Sequence, residues 1–588
     1  MLLLLPATGL LMAQTPEVGG QVSLGQTEAA ITVVLNNLPQ ATAGTIAAPS
    51  RFASLRPYGG VSEAEYQARK LKAKALTMAA TLTGVTENAL PPALAPGSNG
   101  VYTPGTGRNF EGINETCSSL TPSDMGIAVS QFFGLQIVNS CITVFNLSTG
   151  APYAGYPKSL AAFYGLPAGS FIFDPRVLFD WVLRKFVVVA LRADFANSRG
   201  FLEVAASKND DPRGLWNIYH IQGGGTGTCP DFPTLGQNYY SDSGNGAVAV
   251  GFNVFPCNAN GFFGGLADNQ IYFLSKSAMY AGAGFSFNIF SGPTANNTLV
   301  DTIQPANVQS RSDKPRAIFG VSSYNINFGG GQCSTGCNSL VVWAFSNVLT
   351  RTGSPGLKWS AVQIATPSNY SFPPNASQPN SPSGASGRNT IDTNDTRISG
   401  QVYYTAGSLW ATVNTNNGGN GSAVLAWQIK PVLNDNDNAL CTTANGFVNW
   451  CPAITGATIE QELGYDIGGG TGLNAYYGTI VPDPERNITM VFAFSGDSYY
   501  PSVAYVSRRV TQAAAGWHDS GVFLRSGAAY YDQGRWGDYT GVANDLLDPV
   551  TASGSTVPGM WFSGQDSRSD GSWGTAIGRN GFVQSNQP

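Results

Sequence analysis

From about residue 120 to its C-terminus the chain is a succession of short apolar runs broken by turn residues. KFVVVAL (185–191), AVAVGFNVF (247–255), LVVWAFS (340–346), SLWATV (408–413), MVFAFS (490–495) and PGMWFSG (558–564) are rich in Val, Phe, Trp and Ala, and Gly, Asn, Asp and Pro stand between them. No helical period of comparable length interrupts the series, so the pattern reads as all-β. That many strands at short spacing cannot stay in one open sheet, because large sheets curl, split or close.

A repeat emerges when the turns that lead into the runs are aligned. Asp174-Pro175-Arg176 precedes KFVVVAL, Asp231-Phe232-Pro233 precedes AVAVGFNVF, and Lys314-Pro315-Arg316 precedes AIFGVSS. Asp395-Thr396-Arg397 precedes SLWATVN, and NAYYGTIVPDPERNITMVFAFS (474–495) and GRWGDYTGVANDLLDP (534–549) continue the series. Each turn reads as the way into an outer strand: Asp caps it and Pro fixes φ. The landmarks stand roughly 60–85 residues apart, a blade-sized period with inserted loops. The expected fold is a β-propeller of seven blades, with six as the alternative, because radial repetition leaves only short protected edges. A sandwich array or a β-helix is the fallback.

The same motifs, with DMGIAVS and QIVNSCITVFNLSTG (124–150), DDPRGLWNIY (210–219) and NQIYFLSK (269–276), carry a resemblance. Over about residues 124–580 the chain resembles a group of secreted bacterial propeller proteins of unassigned biochemical function. The resemblance implies the fold and export, and no reaction.

The first residues, MLLLLPATGLLMA (1–13), read as a secretion signal, too short to span a bilayer. Residues 14–115 read as a mostly irregular extension. It holds one strand at 29–38, one short helix within 62–80 opened by a Ser62/Glu65 capping box, and a Pro/Gly linker at 89–107. Arg69, Lys70, Lys72 and Lys74 cluster on that helix, as a solvated face or as a docking surface for an acidic partner. The strand could add to the sheet edge of a neighbouring copy. Residues 116–588 read as the propeller.

Eight cysteines in a chain read as exported predict disulfides, and sequential pairing closes local loops: Cys117–Cys141, Cys229–Cys257, Cys333–Cys337 and Cys441–Cys451. Zinc is disfavoured, since His220 and His518 are the only histidines. Charged residues make up 11% of the chain, well below the usual level of about 25%. With a net charge of -5 there is no basic footprint for nucleic acid. No membrane span is expected. The polar surface instead consists of amides, hydroxyls and tyrosines.

No nucleophile elbow, HExxH or histidine cluster is present. Arg176, Asp231, Arg316, Arg397, Trp536 and Asp538, all at leading turns, are the candidate ligand-binding residues, and none is assigned a catalytic role. No cofactor is expected. Calcium has only weak candidates in Asp435 and Asp437, whose loop lacks the Gly and Glu of an EF-type site. The expected function is that of a secreted, non-catalytic extracellular or cell-surface protein, structural, adhesive or ligand-binding. Its partners would be a glycan, a surface polymer or copies of itself. The alternative is a sialidase-like propeller glycoside hydrolase, which wants an arginine cluster, an acid and a tyrosine nucleophile. Its Ser-x-Asp-x-Gly-x-x-Trp turn does not occur in register here.

Overall fold

The computed structural model describes residues 18–42, 63–75, 108–118, 120–239, 246–309, 313, 315–323, 336–349, 356–379, 390–418, 421–434, 440–442, 448–450, 452–465, 473–510, 517, 521–546 and 559–582. Among them the strands pair as successive antiparallel runs, each starting from one strand that lies beside the first strand of the next run. These first strands are β1 (Gly126–Val129), β2 (Ile172–Asp180), β3 (Thr228–Gln237), β4 (Gln304–Val308), β5 (Val402–Thr405), β6 (Leu473–Pro482) and β7 (Gly541–Asp545). Each touches the next, and β7 touches β1, so they form a ring. Where hydrogen bonds cross from one run to the next they are parallel, as between β3 and β4 (Gln237 with Asn307) and between β4 and β5 (Ala306 with Val402). Hydrogen bonding does not run all the way round; the runs begun by β1, β6 and β7 are separate four-stranded sheets. The fold is all-β and propeller-like.

Small residues let the inner strands approach. A Cβ on Gly541 would stand 2.8 Å from the Ile127 nitrogen, and one on Gly236 would stand 2.6 Å from the Ala306 carbonyl oxygen. The apolar cores lie between neighbouring sheets. In Lys185–Asp194, the second strand of the run begun by β2, Phe186, Val188 and Ala190 pack toward the β1 sheet, while Val187, Val189 and Leu191 pack toward the β3 sheet. Alternate side chains of a strand point to opposite faces, and here both faces are buried. That is why the run is continuously hydrophobic rather than alternating.

The structure corrects the radial order assumed from sequence. Asp174-Pro175-Arg176 is not a turn into an outer strand; it lies within β2, at the innermost position, where the pairing register slips between Phe173 and Arg176. The slip recurs in β3 between Asp231 and Thr234, and in β6 between Tyr476 and Thr479. A residue with left-handed backbone sits in each: Asp174 (φ 51), Phe232 (φ 53) and Tyr477 (φ 53). Buried asparagines of the preceding sheet hold such residues in place. The backbone N–H of Asp174 donates to Asn139 (2.6 Å), that of Thr302 to Asn253 (2.9 Å) and that of Tyr477 to Asn414 (2.7 Å).

The N-terminal extension is more ordered than expected. Val18–Thr27 and Ile31–Val34 are both strands, and they pair within their own chain, against Phe285–Ala295 and Leu215–Gly223. The strand proposed for a neighbour's edge is therefore used internally. Arg108–Glu111 pairs with Trp573–Asn580, so the run begun by β7 takes its last strand from the N-terminal side of β1. Helix α1 (Glu63–Ala75) starts where the capping signal placed it. Its basic face is not wholly solvated. Lys70 is buried and donates to the Pro373 carbonyl and the Thr393 hydroxyl (both 3.0 Å), with Asp392 at 3.6 Å. The acidic partner of this helix is in the same chain.

Cys117–Cys141 and Cys229–Cys257 are bonded as the spacing predicts. Cys337 is also disulfide-bonded. Cys333 and Cys451, the Cys441 side chain, His518, Asp435, Asp437, the signal segment and residues 89–107 lie outside the described residues. Among the described residues, no helix is long and apolar enough to cross a membrane.

Candidate functional site

Because the inner strands lie side by side in a ring, the residues at their starts gather at one end of the axis. Asp124 stands just before β1, Asp174 and Arg176 open β2, and Asp231 and Phe232 lie in β3. Asp301 precedes β4, Asp395 and Arg397 precede β5, Tyr477 lies in β6, and Arg535, Asp538 and Tyr539 precede β7. The side chains interlock across the ring. Asp124 accepts from the Asn139 amide (2.6 Å) and from the Asp538 backbone N–H (2.7 Å). Asp174 accepts from the Phe232 N–H (3.2 Å). Arg397 holds Asp395 through two bonds, at 3.0 and 2.8 Å, and Arg535 reaches Asp538 at 3.2 Å. Arg176 donates to the carbonyls of Pro233 (3.0 Å) and Ser399 (3.1 Å), and its guanidinium lies 3.2 Å from the centre of the Tyr539 ring.

Crowded carboxylates in a dry site resist ionisation. Burial, then the charges of Asp231 and Asp538, push Asp174 up to about 7, against the pull of Arg535 and Arg176. Burial raises Asp231 to about 7 although Arg397 opposes it, and raises Asp301 to about 8. Asp124 is raised well above the usual carboxylate range by burial and by Asp538. Burial disfavours the charge on Arg397 and Arg535, but neighbouring carboxylates outweigh it and hold both firmly protonated. Arg176 is lowered, chiefly by burial. Near neutral pH the cluster therefore holds acids that can donate or accept a hydrogen bond, beside fixed positive charges.

The cluster also leaves polar atoms unmatched. One terminal nitrogen of Arg176 and both carboxyl oxygens of Asp301 are buried without a hydrogen-bond partner. Such groups are costly to leave unpaired. Asp174, Asp231, Arg535 and Asp538 keep partial exposure, so the cluster borders accessible space. Among the described residues, no group of three or more His, Cys, Asp or Glu is placed to hold a metal ion.

Of the residues singled out from sequence, Arg176, Asp231, Arg397 and Asp538 come together here. Trp536 is buried beside them in an apolar cluster, its ring 5.0 Å from that of Tyr531. Arg316 does not belong: it is exposed and lies between β4 and the next strand. Lys314-Pro315-Arg316 resembles a leading turn in letters, but the start of β4 is Asp301-Thr302, which sequence reasoning missed. Asp124 was also missed, although it opens the DMGIAVS motif, whereas Arg535 is one of the arginines that the sequence places at the leading turns, with Arg176, Arg316 and Arg397. His220 sits in Leu215–Gly223, the fourth strand of its run from the axis, with Nδ1 against Glu203.

No family model matches the chain, and no curated protein is similar to it. Among solved structures it is similar to an N-acetylgalactosamine deacetylase from F. plautii in complex with blood group B trisaccharide. The identity is 10% over 71% of this chain and 91% of that one, with a TM-score of 0.28. It is also similar to Drosophila Semaphorin 1b extracellular domains 1-2 (8% identity, 80% and 86% covered, TM-score 0.30). A third is the WD40 domain of SCAP from fission yeast (9% identity, 81% and 90% covered, TM-score 0.27). Likeness at this level carries no functional argument.

Proposed function

We propose that this chain is an exported seven-bladed β-propeller that binds a neutral extracellular saccharide at its axial cluster and does no chemistry on it. The reading rests on one observation: carboxylic acids, guanidinium groups and aromatic rings from every first strand converge at one end of the axis. Several of their polar atoms are unmatched. A polyhydroxylated ring suits such a site, because each hydroxyl can donate to a carboxylate and accept from an Arg or a protonated acid. The rings of Phe232 and Tyr539 add apolar faces, and sites of this kind combine apolar walls with a few fixed polar groups. Seven blades follow from taking each inner strand, β1 to β7, as the start of one blade. The two local disulfides and the apolar leader support export to an oxidising compartment.

A second reading, hydrolysis of a glycoside, is favoured by the acids near pKa 7, a range suited to a general acid. The sialidase-like form of it is weakened by the arginines. Arg397 is bound at two points to Asp395, Arg535 is paired with Asp538, and Arg176 gives two of its three nitrogens to carbonyls, leaving one terminal nitrogen rather than a two-pronged fork. None is presented as a clamp for a substrate carboxylate.

Saturation-transfer NMR of the full chain against a panel of neutral oligosaccharides is the direct test. Saturable binding that is lost in Asp231→Asn is expected. Silence across the panel would sink the binding reading, and turnover of a chromogenic glycoside, abolished by the same substitution, would replace it with the hydrolytic one.

A further inference from the structure

A second polar cavity lies away from the axial cluster, between the β5 and β6 sheets, at the opposite end of β6 from Tyr477. It has a volume of about 250 Å³ and is lined by Trp410, Glu460, Ile488, Arg486, Arg508 and Arg509, among others. Three guanidinium groups in one cavity are unusual for a chain with only 31 Lys and Arg and a net charge of -5.

The cavity is built from rigid parts. Asp483 accepts from the backbone N–H groups of Glu485 and Asn487 (both 2.9 Å) and from the Asn487 amide (2.8 Å), which fixes the turn carrying Arg486. The Asn487 side-chain oxygen Oδ1 in turn accepts from the Val510 N–H (3.1 Å), which ties the end of the Arg508–Arg509 segment to that turn. Arg508 is 8% exposed, whereas Arg486 is exposed at the rim and opens the cavity to solvent. Burial lowers the pKa of Arg508. The one acid in the wall is already engaged: Glu460 accepts from Ser408 (2.8 Å) and Gln428 (2.9 Å) and lies 3.8 Å from Lys430. Opposite the arginines, Trp410 is 3% exposed, and its indole N–H is buried with no hydrogen-bond partner.

We propose that this cavity is a binding site for the oxyanion of a small acid, a carboxylate or a sulfate ester carried on a single sugar-sized ring. The guanidinium groups match planar and tetrahedral oxyanions alike through charge-assisted bonds. Ile488 and the Trp410 ring supply an apolar wall. The volume, just under the roughly 300 Å³ at which small-molecule sites begin, selects one ring over a chain.

Isothermal titration of the full chain with sodium glucuronate, glucose 6-sulfate and glucose tests the proposal. One or both acids are expected to bind at a site that glucose does not occupy; any heat from glucose belongs to the axial cluster and stays the same in the variants below. Binding of glucuronate alone identifies a carboxylate site, and binding of the sulfate alone identifies a sulfate-ester site. Arg486→Gln, at an exposed rim position that leaves the fold intact, should weaken the binding about tenfold or more. Arg509→Gln removes a second guanidinium from the wall and should weaken it too. Absence of heat with both acids overturns the proposal, and so does acid binding of unchanged affinity in both variants.

Discussion

Two aspartates on the same inner strand meet opposite fates. Asp180, at the far end of β2, accepts from the N–H groups of Val182 (3.0 Å) and Leu183 (2.9 Å) and from the hydroxyls of Tyr239 and Tyr280 (both 3.0 Å). Lys276 stands 2.9 Å away, and both side chains of the pair are fully buried. Asp174, at the near end, has one backbone donor and a crowd of other carboxylates. The first is satisfied from every side and has nothing left to offer a ligand. The second is held against its own electrostatics, which is the condition in which binding and catalytic groups are found. Within one strand the difference separates architecture from the candidate site.

The largest expected effect breaks the satisfied end. Asp180→Ala leaves Lys276 buried without its carboxylate and strips two turn amides of their acceptor. Burial already draws Lys276 down to about 8, and Asp180 is what holds its proton. Removing one member of a buried pair costs about 3–5 kcal/mol. A urea midpoint close to that of the wild type would mean that the pair adds nothing to stability.

The near end should respond in the opposite direction. An unfolded aspartate titrates near 3.9, whereas Asp174 and Asp231 titrate near 7 and Asp301 near 8 in the folded chain. Between those values the folded state holds protons that the unfolded state has released, so stability falls as the pH rises from about 4 to about 8. Melting temperatures should therefore be higher at pH 5 than at pH 8. Asp174→Asn removes one of these groups; asparagine tolerates the left-handed backbone and can still accept from the Phe232 N–H. At pH 8 this variant should be more stable than the wild type by about 1 kcal/mol or more, with the gain vanishing near pH 4. A loss at pH 8 would place Asp174 with Asp180, as a structural group.

Much of this contrast could be read from the letters, and the part that could not has a physical reason. The strand runs, the spacing of the leading turns and the sequential disulfides are local signals, so they survive without coordinates. Radial order is not local. KFVVVAL looks the same whether it is second from the axis or at the rim, because a strand buried on both faces carries no sign of its neighbours. Asp174-Pro175-Arg176 was therefore assigned to the wrong edge of its sheet. Asp301 escaped notice because Asp301-Thr302-Ile303 has neither the Pro nor the Arg of the other turns, while Lys314-Pro315-Arg316 has both and stands elsewhere. Asn139, Asn253 and Asn414, which hold the inner residues, sit in motifs too ordinary to mark them. Only the hydrogen bonds to the next sheet do so.

The smallest expected effect concerns helix α1, which brings a third carboxylate into the comparison. Asp392 lies near the cluster, where its charge helps to hold Arg535 protonated, yet it resembles Asp180 in having a cation and a tyrosine of its own. Tyr66 donates to it at 2.9 Å and Lys70 stands at 3.6 Å, while the Asn416 amide donates to the Ala73 carbonyl at 2.7 Å further along the helix. A helix of 13 residues is marginal on its own, so these contacts decide whether it stays formed. Lys70→Met keeps an unbranched stem of similar length and removes the ammonium group that lies 4.7 Å from the centre of the Phe372 ring. Because α1 is peripheral to the ring, the global stability read from urea unfolding should fall by no more than about 1 kcal/mol, while hydrogen exchange across 66–75 accelerates. If instead the whole chain loses stability together with the helix, α1 is part of the cooperative core, and Asp392 belongs with Asp180. Unchanged exchange would mean that Tyr66 and Asn416 are enough to keep the helix in place.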